Sequence, residues 1–297
     1  MQPRHIALAV LLSIVWGLNF VVISVALTDF PPMFLGVIRF VIAAAPVLFL
    51  TRPATPLPVL IPISLTLFVG QFALFFPSMV LGMPPGIASI LIQVQALFTI
   101  AIAAAALGET PTRRQITGAA IAFAGLAVVA TTAGTNGITI VGFLLAVGSA
   151  VSWATGNVLL RRARVTDVSS TIAWLALIAL GPLIVLSLLM DGPGRISHAV
   201  THATWLTAGA AAYIGLVSTV FGYWAWGFLL RHYPASTVAP FSLLVPVTGT
   251  LSAALLLGES FGPVRLAGMA LIMAGLAVLA LRRRRAPAVT DEAVPLP

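Results

Sequence analysis

Hydrophobic residues fill this chain in long runs of about 20, separated by short gaps rich in Pro, Gly and Arg. Runs of that length predict membrane-spanning helices, because about 20 apolar residues cross the hydrocarbon layer while the helix satisfies its own backbone groups. The predicted spans cover residues 5–27, 32–50, 59–80, 86–107, 115–131, 139–160, 170–190, 206–229, 236–257 and 264–281. The pattern therefore predicts an all-α membrane protein with ten transmembrane helices.

The composition agrees with a membrane location for most of the surface. Of the 297 residues, 60% are hydrophobic and 7% are charged, whereas a soluble globular chain carries about 25% charged residues. The formal net charge of +8 would also suit a nucleic-acid-binding protein. However, the basic residues are all Arg and nearly all lie in the gaps between apolar runs, as in membrane proteins. We therefore expect a lipid bilayer, and no nucleic acid, as the partner of this surface.

The distribution of Arg predicts the orientation of the chain. If the N-terminus is cytoplasmic, twelve Arg fall in inside segments, and only Arg195 and Arg265 fall in outside segments. The inside set consists of Arg4, Arg52, Arg113, Arg114, Arg161, Arg162, Arg164, Arg231, Arg282, Arg283, Arg284 and Arg285. Because cytoplasmic loops carry the excess of basic residues, both termini are predicted to lie in the cytoplasm.

The two halves of the chain resemble each other at an offset of 150 residues. The stretch 107–130 matches the stretch 257–280, and Glu109 aligns with Glu259. Each half holds five predicted spans, an odd number, so the second half must cross the membrane in the opposite direction. Inverted repeats of this kind are typical of transporters.

The repeat predicts three parts. Residues 1–135 and 136–285 form one five-helix unit each, and residues 286–297 form a disordered cytoplasmic tail. Four glycines recur at the same offset, and small residues let membrane helices approach closely. These glycines are Gly118, Gly125, Gly268 and Gly275. We expect them to serve packing rather than binding.

Several segments resemble the EamA-type transporters of the drug/metabolite transporter superfamily. The segments that carry the likeness are VWGLNFVVISVAL at 15–27, PPMFLGVIRF at 31–40, GMPPGIASILIQVQALFT at 82–99, SWATGN at 152–157 and VAPFSLLVPV at 238–247. Within the superfamily the likeness is greatest to bacterial exporters of O-acetylserine and cysteine. The resemblance covers nearly the whole chain.

This resemblance implies a secondary transporter of the bacterial plasma membrane. It is expected to export small neutral polar metabolites, amino acids of the cysteine/O-acetylserine type, by alternating access, as a monomer or weak homodimer without a cofactor. One alternative is export of other amino acids, drugs or nucleosides in the same superfamily. A second alternative, of another class, is a lipid scramblase or membrane-assembly protein, which should need a polar groove open to lipid.

Arg39 is the only charged residue well inside a predicted span. A charged side chain at the centre of a membrane helix costs about 2.5–3.5 kcal/mol and needs a partner or a wet cavity. No carboxylate falls inside a predicted span to neutralise it. Arg39 either extends to the outer headgroups or a helix end, or contacts the substrate.

Glutamine side chains form the next polar group inside the predicted spans. Gln93 and Gln95 are two residues apart, about 200° around a helix, so they cannot share a face. One can face the substrate path while the other bonds a neighbouring helix. Gln71 is a further candidate for the path. Hydrogen bonding between helices is the alternative role for all three.

A stripe of Trp and Asn occurs once in each half. Trp16 and Asn19 lie in the first predicted span, and Trp153 and Asn157 lie in the sixth. Trp usually anchors helices at the membrane surface, but these two lie in mid-span, so they are interpreted as walls of a central cavity. An aromatic group near the cytoplasmic end of the eighth span is interpreted as a belt at the membrane surface, except for Tyr223, which is a further candidate for the site.

Catalytic chemistry is not indicated. The chain has no P-loop and no Cys, and its His residues lie at or beyond the ends of the predicted spans. No metal site is predicted, and the protein is not expected to be an enzyme. All seven acidic residues map to predicted loops or the tail, which favours facilitated diffusion or exchange over tight proton coupling.

Overall fold

The computed structural model describes residues 1–134, 138–165 and 167–280, without the side chains of 168, 169, 235 and 236. Every regular element within these residues is helical, which confirms the predicted all-α class. The predicted tail at 286–297 lies outside the described residues.

A helix lies at each predicted span. The long helices are α1 Pro3–Ala26, α2 Pro32–Leu48, α3 Leu57–Val80, α4 Pro85–Leu107, α5 Arg113–Ala130, α6 Ile140–Arg162, α7 Ser170–Asp191, α8 Trp205–His232, α9 Ala239–Leu257 and α10 Pro263–Ala280. A short helix, Pro193–His202, connects α7 to α8. Pro occupies the first turn of several helices, where its missing N–H needs no partner.

Eight of the helices in the described part of the chain are long and apolar enough to cross a membrane. α2 is apolar but shorter. α5 has 18 residues and begins with Arg113, Arg114 and Gln115, which lower its mean hydropathy. Eight of the ten predicted spans therefore have the length and hydropathy of a membrane helix, and the count of ten stays a prediction.

Corresponding helices of the two halves are interrupted in the same way. α3 widens to a π-helix over Leu65–Gly70, and α8 does so over Tyr213–Phe221. α4 tightens to a 3₁₀ turn over Ile92–Val94, and α9 begins with one over Ala239–Leu243. Such interruptions change which carbonyls are bonded inside the helix, and they are common at functional sites. Interruptions at matching places in both halves make α3, α4, α8 and α9 candidates for lining a site.

α4 and α9 also end alike. Gly108 and Gly258 follow their last residues, and each has a φ of 67°. This left-handed conformation is unfavourable for residues with a Cβ but not for Gly. The next residues are Glu109 and Glu259, so the glycine turns set where these two carboxylates point.

α5 and α10 make the most extensive helix–helix contact among the described residues. A Cβ added at Gly118 would lie 2.9 Å from the carbonyl oxygen of Gly275, and one at Gly125 would lie 2.6 Å from that of Gly268. Real Cβ atoms do not come this close to backbone atoms, so only glycine permits the observed separation. The predicted packing role of these four glycines is confirmed.

The other helix contacts occur in pairs that are related by the repeat. α1 packs against α8 and α9, while α6 packs against α3 and α4. α2 packs against α7, and α4 packs against α9. Replacing each helix of the first half by its counterpart in the second half maps these contacts onto one another. α1 and α6 therefore hold equivalent positions and direct their polar side chains at the interrupted helices.

Candidate functional site

Trp16 on α1 is held against α8 by a hydrogen bond. Its indole Nε1–H donates to the carbonyl oxygen of Ser218, 2.9 Å away, inside the π-helical segment of α8. Its ring centroid lies 6.4 Å from that of Tyr223 and 5.6 Å from that of Trp226. Trp16 is therefore an oriented interior side chain and not an anchor at the membrane surface.

Arg39 on α2 points into the protein. Its side chain is only 6% exposed, so it does not extend to the headgroups. The Cζ atom of the guanidinium lies 4.2 Å from the centroid of the Phe72 ring on α3 and 5.9 Å from that of Phe40. The Nε and Nη1 atoms are buried and have no hydrogen-bond partner. Burial and the contact with Phe72 exclude extension to the membrane surface, and contact with the substrate stays a prediction.

The charge of Arg39 is not balanced within the described residues. Their one ion pair joins Arg161 to Glu109, both of them about half exposed. Contact with an aromatic face stabilises a cation by about 0.5–2 kcal/mol, whereas placing a charge at membrane depth costs about 2.5–3.5 kcal/mol. The guanidinium is thus left with a net electrostatic cost and with free donors.

Aromatic rings connect Arg39 to Trp16. The Phe68 ring on α3 lies 4.8 Å from the Phe40 ring and 6.3 Å from the Tyr223 ring, centroid to centroid. We call the set Trp16, Arg39, Phe40, Phe68, Phe72 and Tyr223 the Arg39 cluster. It brings together three of the predicted site residues, Trp16, Arg39 and Tyr223, from α1, α2 and α8.

Asn19 carries a second unsatisfied polar group. It is 8% exposed, and its Oδ1 atom is buried without a hydrogen-bond donor. Asn19 lies three residues after Trp16, about 4.5 Å along α1 and on the same side of the helix. Asn19 Oδ1, an acceptor without a donor, thus lies about one helical turn from Trp16 of the Arg39 cluster. In the same cluster, the Nε and Nη1 groups of Arg39 are donors without an acceptor.

Gln93 and Gln95 contact different helices, as their spacing predicts. The Gln95 Oε1 atom accepts a hydrogen bond from Asn157 Nδ2 on α6, at 2.9 Å. The Gln93 Nε2–H donates to the carbonyl oxygen of Ser242 on α9, over a long 3.5 Å. Gln95 and Asn157 satisfy each other in this state, while Gln93 is held weakly and has donor capacity left.

Gln71 and Trp153 lie on the α3–α6 side of the protein. Gln71 is buried, and its backbone carbonyl accepts a hydrogen bond from Ser149 Oγ at 2.9 Å. Trp153 is half-buried against the apolar core. In the described part of the chain, no hydrogen bond or ring contact joins Trp153 or Asn157 to the Arg39 cluster. Their roles at the site stay predictions.

A cavity of about 370 Å³ lies between the end of α6 and the start of α7. Its lining consists of Asn157, Leu160, Arg161, Arg164, Val165, Thr171 and Ile172. Arg161 and Arg164 make its mouth basic, and Asn157 lies one to two turns deeper along α6. The cavity lining thus includes both of these Arg residues, at and just beyond the end of α6, and Asn157, which is hydrogen-bonded to Gln95.

Asp191 corrects the prediction that all acidic side chains map to loops or the tail. It is the last residue of α7 and is 6% exposed. Its Oδ2 atom accepts hydrogen bonds from the Phe34 N–H at 2.7 Å and from Ser187 Oγ at 3.1 Å. The carboxylate thus caps the first turn of α2, a structural task favoured by the helix dipole. In the sequence, Gly192 and Pro193 directly follow Asp191 and indicate a loop, so the capping role of Asp191 was not predicted.

Glu259 makes a similar contact from the α9–α10 loop. Its Oε2 atom accepts the Gly86 N–H at 3.1 Å, in the first turn of α4. Its Oε1 atom is buried without a hydrogen-bond partner. Burial raises the pKa of the Glu259 carboxyl, and the Gly86 N–H and the charge of Arg265 oppose that rise without outweighing it.

The Glu259→Gln variant should therefore remove a pH dependence of stability. A raised pKa means that the folded protein favours the protonated carboxyl. Its contribution is fully present below the unfolded pKa, near 4.5, and is lost as the pH rises through the higher folded value. Wild type and variant should unfold alike at pH 4, and the variant should be the more stable at pH 8, in thermal unfolding of protein in nanodiscs. Glu109→Gln, at the exposed counterpart, is the control, and equal pH profiles for wild type and Glu259→Gln would refute this assignment.

The chain resembles known transporters over nearly its whole length. A model of the EamA-like transporter family matches residues 4–131 and again residues 140–281. The chain belongs to this family. An EamA-like chain is a transporter and not an enzyme, and the apolar helices make it a multi-pass membrane protein.

Relatives and a solved structure extend this likeness. A protein of Salmonella typhimurium (strain LT2), named "Probable amino-acid metabolite efflux pump", is 42% identical over 276 residues, 91% of this chain and 92% of that protein. A protein of the same name from Escherichia coli (strain K12) is 40% identical over 295 residues, 96% of this chain and 98% of that protein. A crystal structure with 21% sequence identity matches with a TM-score of 0.61 over 91% of this chain and 96% of its own, so it shares the fold.

Proposed function

We propose that this protein is a secondary exporter of small neutral polar amino-acid metabolites, of the cysteine and O-acetylserine type, in the bacterial plasma membrane. Family membership and the names of two relatives support export of a small molecule. The observation that carries the proposal is the Arg39 cluster, where buried and unpartnered polar groups meet aromatic rings between α1, α2, α3 and α8. Such a mixture suits a small molecule with polar ends and an apolar middle.

The proposal includes ten spans in two inverted units, residues 1–135 and 136–285, with both termini in the cytoplasm. The paired π-helical and 3₁₀ interruptions support it, as does the glycine contact between α5 and α10. The Arg bias gives the orientation. In this orientation the 370 Å³ cavity beside Asn157 opens to the cytoplasm and is the entrance for substrate.

In the proposed transport cycle, the substrate passes from this entrance to the Arg39 cluster. Trp16 and Tyr223 form its walls, and Arg39 and Asn19 bind its polar groups. Gln71, Gln93, Gln95, Trp153 and Asn157 line the path between the halves. Because the Gln95–Asn157 hydrogen bond joins α4 to α6 across that path, it must open for passage.

Trp16→Ala and Gln93→Ala test the proposal. Trp16→Ala removes a wall and leaves the Ser218 carbonyl without its donor, and an unsatisfied buried group costs about 1–3 kcal/mol. Efflux from proteoliposomes loaded with L-cysteine should fall about tenfold or more for Trp16→Ala, and by less for Gln93→Ala, whose hydrogen bond is long.

Trp205→Ala is the matched control, because Trp205 is 95% exposed. It should transport as the wild type does. If both site variants at equal expression transported as fast as this control, the site would lie elsewhere. If the wild type released none of the amino acids in a mixture of the standard twenty, the proposed function itself would be wrong.

A further inference from the structure

We infer that Arg39 recognises a carboxylate of the transported molecule and that Asn19 accepts a hydrogen bond from its amino group, which makes the protein selective for zwitterions. This inference rests on the proposed function and adds a specificity rule to it. It excludes amines and other cations that lack a carboxylate. Three properties support it: the charge of Arg39, the geometry of its guanidinium, and the unsatisfied polar atoms of Arg39 and Asn19.

The charge of the cluster sets the sign of the ligand. Arg39 is buried, and no described carboxylate forms an ion pair with it. A second positive charge in this apolar surrounding would be repelled, since the rings screen charges poorly. A ligand that brings a negative charge supplies the missing counter-charge. The ligand group beside Arg39 is therefore an anion.

The geometry of Arg39 favours a compact planar anion. The Phe72 ring is the closest aromatic group, with its centroid 4.2 Å from Cζ. The Nε and Nη1 atoms are buried and free, and each shares one two-pronged donor edge of the guanidinium with Nη2. A guanidinium in contact with a ring keeps its N–H donors in its own plane, where they match the two oxygens of a carboxylate. Among amino-acid metabolites, the carboxylate is the group that meets this demand.

Asn19 supplies the complementary contact. Its buried Oδ1 atom lacks a donor, and it lies on the Trp16 side of α1. In an amino acid, the amino group lies three bonds from a carboxylate oxygen. Its N–H groups can donate a hydrogen bond to Asn19 Oδ1. Because Asn19 is uncharged, it recognises the amino group without reversing the preference of Arg39 for an anion.

The test uses three thiols that differ by one group. L-Cysteine has both the carboxylate and the amino group, cysteamine lacks the carboxylate, and 3-mercaptopropionate lacks the amino group. Efflux from proteoliposomes in oxygen-free buffer without a reductant is followed with a thiol-reactive dye, and leakage from protein-free liposomes is subtracted. Wild type should release cysteine at least about tenfold faster than cysteamine, since a site built to bond a group rejects analogues without it.

Arg39→Gln should bring the cysteine-to-cysteamine ratio to about one, and Arg39→Lys should restore part of it. Asn19→Leu should instead remove the preference for cysteine over 3-mercaptopropionate. Arg265→Gln is the control, since Arg265 is another buried Arg, at 7% exposure, and lies on α10. It should keep the wild-type ratios. A wild-type ratio in Arg39→Gln, or equal release of cysteine and cysteamine by the wild type, would overturn the inference.

If the wild type releases none of the thiols, the proposed substrate fails and the anion site is tested by itself. Acetate should then raise the thermal unfolding midpoint of the wild type in nanodiscs but not that of Arg39→Gln. Equal shifts, or no shift, would show that Arg39 binds no carboxylate. A shift with inorganic phosphate but not with acetate would also reject the carboxylate assignment.

Discussion

Gly275→Ala is expected to destabilise the protein strongly, although it adds one methyl group and improves helix propensity. The new Cβ would lie 2.5 Å from the carbonyl oxygen of Gly118 and 2.6 Å from the backbone nitrogen and Cβ of Ala122. Backbone atoms cannot rotate out of the way, so α5 and α10 must separate. Overpacking costs about 1–3 kcal/mol and occasionally more, against about 1 kcal/mol gained in propensity.

The loss should be at the upper end of that range. Contacts between membrane helices depend on van der Waals packing, because lipid is as apolar as the protein interior. Separating α5 from α10 also moves Gly118, Gly125 and Gly268 away from their partners. We therefore expect a net loss of about 2 kcal/mol or more in the free energy of unfolding, measured by titration with SDS in mixed micelles.

Gly227→Ala is the matched control for this prediction. Gly227 lies in α8, and a Cβ added there meets no atom within 4 Å. This variant should be neutral or slightly stabilised, by up to about 1 kcal/mol. If Gly275→Ala were as stable as Gly227→Ala, the close α5–α10 contact would not exist in the membrane.

The organisation of this protein can be predicted from its sequence because it depends on short-range patterns. Apolar run length locates the helices, and the 150-residue offset pairs Gly118 with Gly268 and Gly125 with Gly275. The offset alone does not tell which glycines touch. In the structure Gly118 contacts Gly275 and Gly125 contacts Gly268, because α5 and α10 cross with opposite sequence direction.

The site was predictable only in part. Polarity within an apolar run singled out Arg39, Trp16 and Tyr223, and the structure joins them. Phe68 and Phe72 were missed because an aromatic residue in an apolar helix has the same sequence signal as any other core residue. Their role depends on which face of α3 meets α2, which is set by tertiary packing.

The π-helical segments lay beyond sequence reasoning for a related reason. No Pro or Gly run distinguishes Tyr213–Phe221 from an ordinary α-helix, yet this segment holds the Ser218 carbonyl that accepts the hydrogen bond of Trp16. The residue pattern along a single helix predicts neither this hydrogen bond nor the π-helical segment.

Arg39→Met is expected to make the protein more stable and, at the same time, at least about tenfold slower at exporting L-cysteine. The variant removes an unbalanced buried charge and fills the same volume with an apolar, flexible side chain. The gain from removing the charge is about 2.5–3.5 kcal/mol, and the lost contact with the Phe72 ring offsets about 0.5–2 kcal/mol of it. A net stabilisation of about 0.5–3 kcal/mol follows, visible as a rise of a few degrees in the thermal unfolding midpoint.

This opposition of stability and activity separates a functional Arg from a structural one. Arg265 is also buried, but it lies close enough to Glu259 to interact with its carboxylate, so Arg265→Met leaves a buried acid without that charge and should destabilise the protein. Arg39 has no such partner among the described residues, so Arg39→Met leaves no buried acid without its counter-charge. If Arg39→Met were destabilised, Arg39 would have a structural partner that only the membrane supplies. If it were stabilised and still exported L-cysteine at the wild-type rate, the charge would play no part in transport. Only higher stability together with slower export fits an Arg whose counter-charge arrives with the substrate.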